Sequence, residues 1–354
     1  MMKLQFYIIL LIIITLTGCG KQKHAVPDAQ PAVYYWRTTL QLDSAERAFL
    51  HEHHVGKLYT RFFDVVMRDG KPMPNATLRF LDTVPAGVEV IPVIFIMENC
   101  LRHGLDEYAQ QLVTRVLQMC ETNDLPAPRE LQIDCDWTLR SKDAYYHFLQ
   151  LVQEHTAQHG MRLSATIRLH QLAMDAPPVD YGVLMVYNTG DVNRTTGRNP
   201  ILDYRDVQPY LKYVARYRLP LCAAYPTYGW QLLYDSNGFK AILHDENLSD
   251  STLYQPLPAN PLTQSLPGVP THATWLVVAS RDLPELSDDA SNATWISPGD
   301  TVHTWTVAPA ELLRVSRALQ HERNSINDQV IIYALDTKNI NRYNSQDYET
   351  FYHP

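Results

Sequence analysis

Short β-rich apolar runs, the third of them apolar on both faces, alternate along this chain with stretches whose apolar positions recur at spacings of three and four. The runs occupy residues 32–39 (AVYYWRTT), 55–65, 88–97, 130–138 (ELQIDCDWT), 162–169, 181–188, 220–230 and 329–336. Between them, Asp43 and Glu46 have capping-box spacing at a helix start. Tyr108, Leu112, Val116 and Met119 share one helical face, as do Tyr145, Phe148, Leu149 and Val152, and later Leu312, Val315 and Leu319. A shorter helical segment spans 206–217, with Pro209 near its first turn, where proline is tolerated. From about 234 to 307 the rhythm gives way to a Pro-, Ser-, Asp- and Asn-rich excursion with short β-like pieces. Eight β units with interleaved helices predict an α/β fold of the (β/α)8 type, with a β-containing insertion between the seventh strand and the last helix. The alternative, an open doubly wound sheet, lacks a glycine-rich phosphate loop after its first strand.

Ahead of this pattern, residues 1–18 carry one early positive charge, Lys3, then an apolar run too short to span a bilayer comfortably, the layout of an export signal. The run ends in Leu16-Thr17-Gly18-Cys19, which resembles the bacterial lipobox. That resemblance implies cleavage before Cys19 and lipidation of its thiol, hence a membrane partner reached through a lipid anchor in the bacterial cell envelope. A plain secretory signal is the alternative. Residues 19–31, polar with prolines, read as a flexible tether, and 32–354 as the barrel domain. A net charge of −8 with no Lys/Arg run after the tether argues against a nucleic-acid partner. Cys100, Cys120, Cys135 and Cys222 have no zinc-ligand spacing, and neither a metal nor a cofactor is implied. Cys100 and Cys120 flank a helix that would hold them about 24 Å apart, too far to bridge.

A barrel places chemistry at the C-terminal ends of its strands. Those positions hold Arg61 and Asp64 on the second strand, Glu98 on the third, Asp134 and Asp136 on the fourth, and Arg168 and His170 on the fifth. Tyr187 and Asn188 follow on the sixth, Tyr228 and Trp230 on the seventh, and Asp336 on the eighth. Carboxylates and amides bind hydroxyls and aromatic rings stack on pyranose faces, so the set suits a carbohydrate ligand. Each residue also has a plainer reading, as a helix cap, a loop residue or a counter-charge. Strand alternation turns Asp134 and Asp136 to the lumen with Thr138, and Ile133, Cys135 and Trp137 to the helices. Two carboxylates together raise each other's pKa, unless Arg61 or Arg168 pairs with them in a buried network.

IDCDWT and LMVYN resemble the fourth- and sixth-strand signatures of chitinase-type, family-18 glycoside hydrolases, Asp-x-x-Asp-x-Asp-x-Glu and Met-x-Tyr-Asp. The chain as a whole resembles a bacterial family of lipoproteins with glycoside-hydrolase-like barrels. The resemblance implies a glycan-active barrel, yet Leu131 stands at the family's first Asp, Thr138 at its general acid and Asn188 at its sixth-strand Asp. A threonine hydroxyl does not donate a proton at a useful pKa. Three functions stay open. A glycoside hydrolase would draw an atypical acid/base pair from Glu98, Asp134, Asp136 and Asp64. A glycan-binding lipoprotein would have lost the acid. In an envelope-interaction role the aspartates would serve only a buried network.

Overall fold

The computed structural model describes residues 25–193, 197–258, 271–283 and 295–354. Eight parallel strands close into a barrel: β1 (Ala32–Tyr35), β2 (Lys57–Arg68), β3 (Glu89–Ile96), β4 (Glu130–Asp134), β5 (Arg162–Arg168), β6 (Tyr181–Met185), β7 (Leu221–Pro226) and β8 (Val330–Tyr333). They pair in chain order, and β1 closes the ring by pairing with both β2, Ala32 opposite Lys57, and β8, Ala32 opposite Ile331. Against the outside pack α1 (Ser44–Glu52), α2 (Ala109–Thr122), α3 (Lys142–Gln158), α4 (Pro309–Glu322) and α5 (Ser345–Tyr352).

The local signals explain these elements. Asp43 Oδ1 accepts from Glu46 N at 2.9 Å while Glu46 Oε2 accepts from Asp43 N at 3.0 Å, the reciprocal cap that starts α1. Tyr145, Phe148, Leu149 and Val152 of α3 and Leu312, Val315 and Leu319 of α4 are all buried. In α2 the buried face is Ala109, Leu112, Val113, Val116 and Cys120; Met119 is only partly covered and Tyr108 stands at the cap position. The segment after β6 breaks into short turns over Tyr204–Val207, Gln208–Tyr210 and Leu211–Val214 rather than one helix. The four cysteines are unbridged and buried.

Strands β1, β4, β6, β7 and β8 each end three or four residues before their apolar runs do. β4 stops at Asp134, so 135–138 leaves the ladder, and β7 stops at Pro226, which has no N–H to extend it. Trp230 therefore belongs to the excursion, whose five-stranded antiparallel sheet orders Gly238–Leu243, Trp230–Asp235, Thr301–Trp305, His272–Val277 and Tyr254–Pro256. The turn between the two is tight: a Cβ on Gly229 would lie 2.9 Å from Trp305 O and 3.0 Å from the Arg342 guanidinium. One face of this sheet, with Leu232, Tyr234 and Trp305, joins the main core; the other, with Leu233, Ala241, Leu243, Tyr254 and Val302, packs its own small core with Leu283 and Ile296.

The barrel lumen is filled by aromatic and polar side chains. Tyr34 donates to Gln132 Oε1 at 2.7 Å, Gln132 Nε2 to Ser164 at 3.4 Å, and Ser164 Oγ to Glu130 Oε1 at 2.6 Å. On the other side Lys57 Nζ donates to Gln329 Oε1 at 3.0 Å and Gln329 Nε2 to Tyr59 OH at 3.0 Å, which lies 2.8 Å from Tyr181 OH. A floor built of bonded polar groups keeps the lumen rigid because each lost partner would strand a desolvated one.

Within the excursion, His272 Nε2 and His303 Nδ1 lie 3.1 Å apart beside Trp305 and Tyr234. Burial, then His303, pushes His272 down to about 4, and burial lowers His303. Both rings are thus neutral in the fold at pH 7, while the unfolded chain protonates them near 6.5. Their contribution is present above pH 6.5 and lost as pH falls from there toward 4. The melting temperature should drop between pH 7 and pH 5, and drop less in a His272→Gln/His303→Gln variant; an equal drop in both would contradict this.

Candidate functional site

At the mouth, β2 supplies a carboxylate and its counter-ion. Three residues apart, Arg61 and Asp64 should point to opposite faces of a regular strand, but the register with β3 shifts between Arg61 and Phe63, and this bulge turns both the same way. Arg61 Nε donates to Asp64 Oδ1 at 2.6 Å and its Nη2 reaches Oδ2, while the guanidinium sits 5.7 Å over the Trp36 ring.

β4 and β5 build the centre. Asp134, 4 % exposed, accepts from Thr166 Oγ1 at 2.6 Å and from Arg168 Nη2 at 3.4 Å. Arg168 Nε also donates to Asp136, whose side chain is 61 % exposed, so one guanidinium bridges both aspartates. The Arg168 backbone is fixed in turn: its N–H donates to Gln171 Oε1 at 2.8 Å, and Gln171 Nε2 to Trp137 O at 2.8 Å. Burial pushes the Asp134 carboxyl up, and Arg168 and Thr166 pull it only part of the way back; Arg168 itself is held charged by Asp134 and Asp136 against its own desolvation. Trp137, by contrast, is buried under α3, stacked 5.8 Å from Tyr145.

Glu98 stands on a short turn after β3 and faces position 138. Its Oε1 accepts from Ser141 Oγ at 2.7 Å and from Thr138 Oγ1 at 2.8 Å, and Ser141 accepts from Thr138 N at 2.9 Å. Those hydroxyls hold the Glu98 carboxyl below the usual range, so it is ionised at neutral pH. His170 is exposed, and burial of its ring lowers its pKa.

An aromatic wall closes the other side. Tyr34 lies 5.9 Å from Trp36 and 5.6 Å from Tyr333; Tyr333 lies 4.9 Å from Tyr187 and 5.8 Å from Tyr228; Trp230 follows at 5.7 Å from Tyr228. Tyr228 OH donates to Asn188 Oδ1, with Asn188 in the left-handed region at φ 53. Tyr187 OH turns to Met185 Sδ at 3.1 Å. Beyond Trp230 a cavity of about 430 Å³ continues between barrel and excursion, lined by Gln231, His244, Lys338 and Arg342. Asp336 is also on its rim but caps the following turn, accepting from Lys338 N at 2.9 Å.

The structure thus gathers Asp134, Asp136 and Arg168 with Tyr187 nearby, and groups Tyr187 and Asn188 with Tyr228. It sets Arg61 and Asp64 as a separate pair, places Glu98 with Thr138, and leaves Trp230 and Asp336 to the side cavity. Trp36, Tyr333 and Thr166 were not among the expected residues. The alternation that placed Tyr34 in the lumen also aims Trp36 there, two residues on.

No family profile and no curated protein matches the sequence. Among solved structures, a chitinase from Chromobacterium violaceum ATCC 12472 superposes with a TM-score of 0.54 at 13% identity, covering 92% of this chain and 99% of that one. The spore cortex-lytic enzyme SleL of Bacillus cereus gives 0.51 at 15% identity over 89% of this chain and 73% of that one. Catalytic domain 2 of a Group II chitinase from Ostrinia furnacalis gives 0.51 at 9% identity over 92% and 96%. At such identities the likeness is one of fold: the chain is a (β/α)8 barrel distantly similar in structure to chitinases.

Removing one partner of a buried ion pair strands the other. Arg168→Gln should lower unfolding stability by about 3 kcal/mol, and adding Asp134→Asn should recover most of that loss. Additive losses in the double variant, read from denaturant unfolding, would contradict the clamp.

Proposed function

We propose that this barrel is a glycan-binding protein of the bacterial envelope, held to a membrane through Cys19, that holds sugar at its mouth without cleaving it. Cys19 itself lies outside the described residues. The observation that carries the reading is the single Arg168 bridge across Asp134 and Asp136, set beside a threonine at position 138. Glycoside cleavage of the usual kind needs a protonated carboxylic acid beside the leaving oxygen, and either a free carboxylate or the substrate's own acetamido group on the other face. Here Glu98 is an ionised acceptor of two hydroxyl bonds, Asp64 is forked by Arg61, and Asp134 is buried under Arg168 and Thr166. His170, its pKa lowered, is neutral near pH 7 and supplies no proton.

What remains suits binding. Trp36, Tyr228 and Tyr333 are partly exposed on the aromatic wall, which Trp230 extends toward the side cavity; Asn188, Asp136 and Arg168 offer hydrogen bonds to hydroxyl or amide groups. That solved barrels of the same shape are chitinases bears on an amino sugar as the ligand.

One observation favours the hydrolase instead. Glu98 Oε1 lies 2.8 Å from Thr138 Oγ1, so a carboxylate from the neighbouring strand comes close to the place of the family's acid. It is the wrong protonation state for an acid, but it would serve as a base in an enzyme whose acid comes from the ligand or from Asp134.

A glycan array followed by chromatography of each bound oligosaccharide separates the two. The expected result is binding with the sugar recovered intact, and binding weakened about tenfold by Trp230→Ala, the loss of one stacking contact. Turnover by the native chain that Asp136→Asn abolishes would overturn the binding reading.

A further inference from the structure

The segment leading into the barrel is tied across its closed end. Val26, 4 % exposed, packs into the lumen cluster with Ala32, Tyr59 and Tyr181 and stops the barrel from below. Asp28 pairs with Arg162 at the start of β5 at 2.9 Å. Gly56 N, just before β2, donates to Pro31 O at 2.9 Å, and a Cβ on Gly56 would strike the Gln30 side chain. Plug, ion pair and backbone bond hold 25–31 against the N-terminal strand ends, the face opposite the mouth. Two loops share that face: residues 84–88 before β3 and 125–128 before β4 line a cavity of about 580 Å³ with Val84, Pro85, Val88, Leu125 and Pro128, and their tips Ala86, Gly87, Pro126 and Ala127 are exposed.

We propose that this N-terminal face lies against the bilayer that holds the Cys19 lipid, and that the mouth points away from it. The inference rests on the anchored reading above. Five residues separate Cys19 from Ala25, a reach of at most about 20 Å fully extended. The eight-residue β3 is about 26 Å long, which at a barrel strand's tilt of about 36° sets the mouth roughly 21 Å above the lower face, before the chain's path around the outer helices is added. The tether is therefore too short to let the barrel turn over, which would require the chain to run from the membrane past the whole barrel. Among the described residues no helix is long and apolar enough to cross a membrane. Lys21 and Lys23, within those five residues, add attraction to anionic headgroups; the loop tips themselves are uncharged, with Asp82, Glu89, Asp124 and Arg129 flanking them. The consequence is functional: the ligand comes from the aqueous side, as a glycan standing off the membrane, and a sugar headgroup of the bilayer that holds the anchor cannot reach the Arg168 centre.

Short-range quenching tests the orientation. The full chain, lipidated in a bacterial host, is reconstituted in phosphatidylethanolamine/phosphatidylglycerol vesicles carrying a headgroup nitroxide. A fluorophore is attached at Ala86→Cys on the lower face or at Leu139→Cys on the rim, where Leu139 is 70 % exposed; the four buried native thiols stay unlabelled. Quenching should be several-fold stronger at 86 than at 139. Equal or reversed quenching on chains that float with the vesicles would overturn the orientation and leave the anchor standing. If the native chain, like Cys19→Ser, stays in the supernatant, the anchor fails and the orientation with it.

Discussion

Everything at the mouth depends on one guanidinium. Without Arg168, Asp134 would be a desolvated carboxylate a few ångströms from a second one, an arrangement that costs several kcal/mol and that enzymes maintain only to hold a proton where it is needed. Arg168 offsets part of that charge, Thr166 donates to Asp134, and Gln171, bonded to the backbone of Trp137, fixes the Arg168 backbone in place. A site tuned to shuttle protons becomes a site that presents fixed donors and acceptors.

The same exchange is repeated around the rim. Asp64 is forked by Arg61, Glu98 is satisfied by Ser141 and Thr138, and Tyr228 is bonded to Asn188. Each of these carboxylates has a partner within the protein, although burial still holds the Asp134 carboxyl above its usual range. The aromatic wall is different: its rings are held by one another and keep partly open faces, the feature a sugar needs. In the proposed reading, glycan recognition and the absence of a proton donor at position 138 are two sides of one arrangement on a barrel whose fold is similar to that of chitinases.

Much of this could be read in the chain. The strand and helix periods, the Asp43–Glu46 cap and the apolar stripes of α3 and α4 are local signals, and the fold follows from their order. The lumen direction of Asp134 follows from alternation alone, and Leu131, Ile133, Cys135 and Trp137 do bury outward. What was illegible depends on partners distant in sequence. The bulge that brings Arg61 beside Asp64 is a matter of register with β3. Which arginine would hold the aspartates was open until β4 and β5 were seen side by side. Trp230 reads as the end of the seventh run, yet pairs with Trp305 in the excursion's sheet, seventy-five positions later. Tyr333 carries no motif, and only closure of the ring sets it between Tyr34 and Tyr187.

The central claim is that the Arg168 bridge leaves the mouth able to hold a glycan but not to cut it. A crystal structure of the chain grown with an N-acetylglucosamine oligosaccharide tests that most directly. The account predicts an unbroken sugar stacked along the aromatic wall, with Arg168 still spanning Asp134 and Asp136. A cleaved or covalently bound sugar, with Arg168 swung aside and an aspartate or Glu98 against the anomeric carbon, would contradict it.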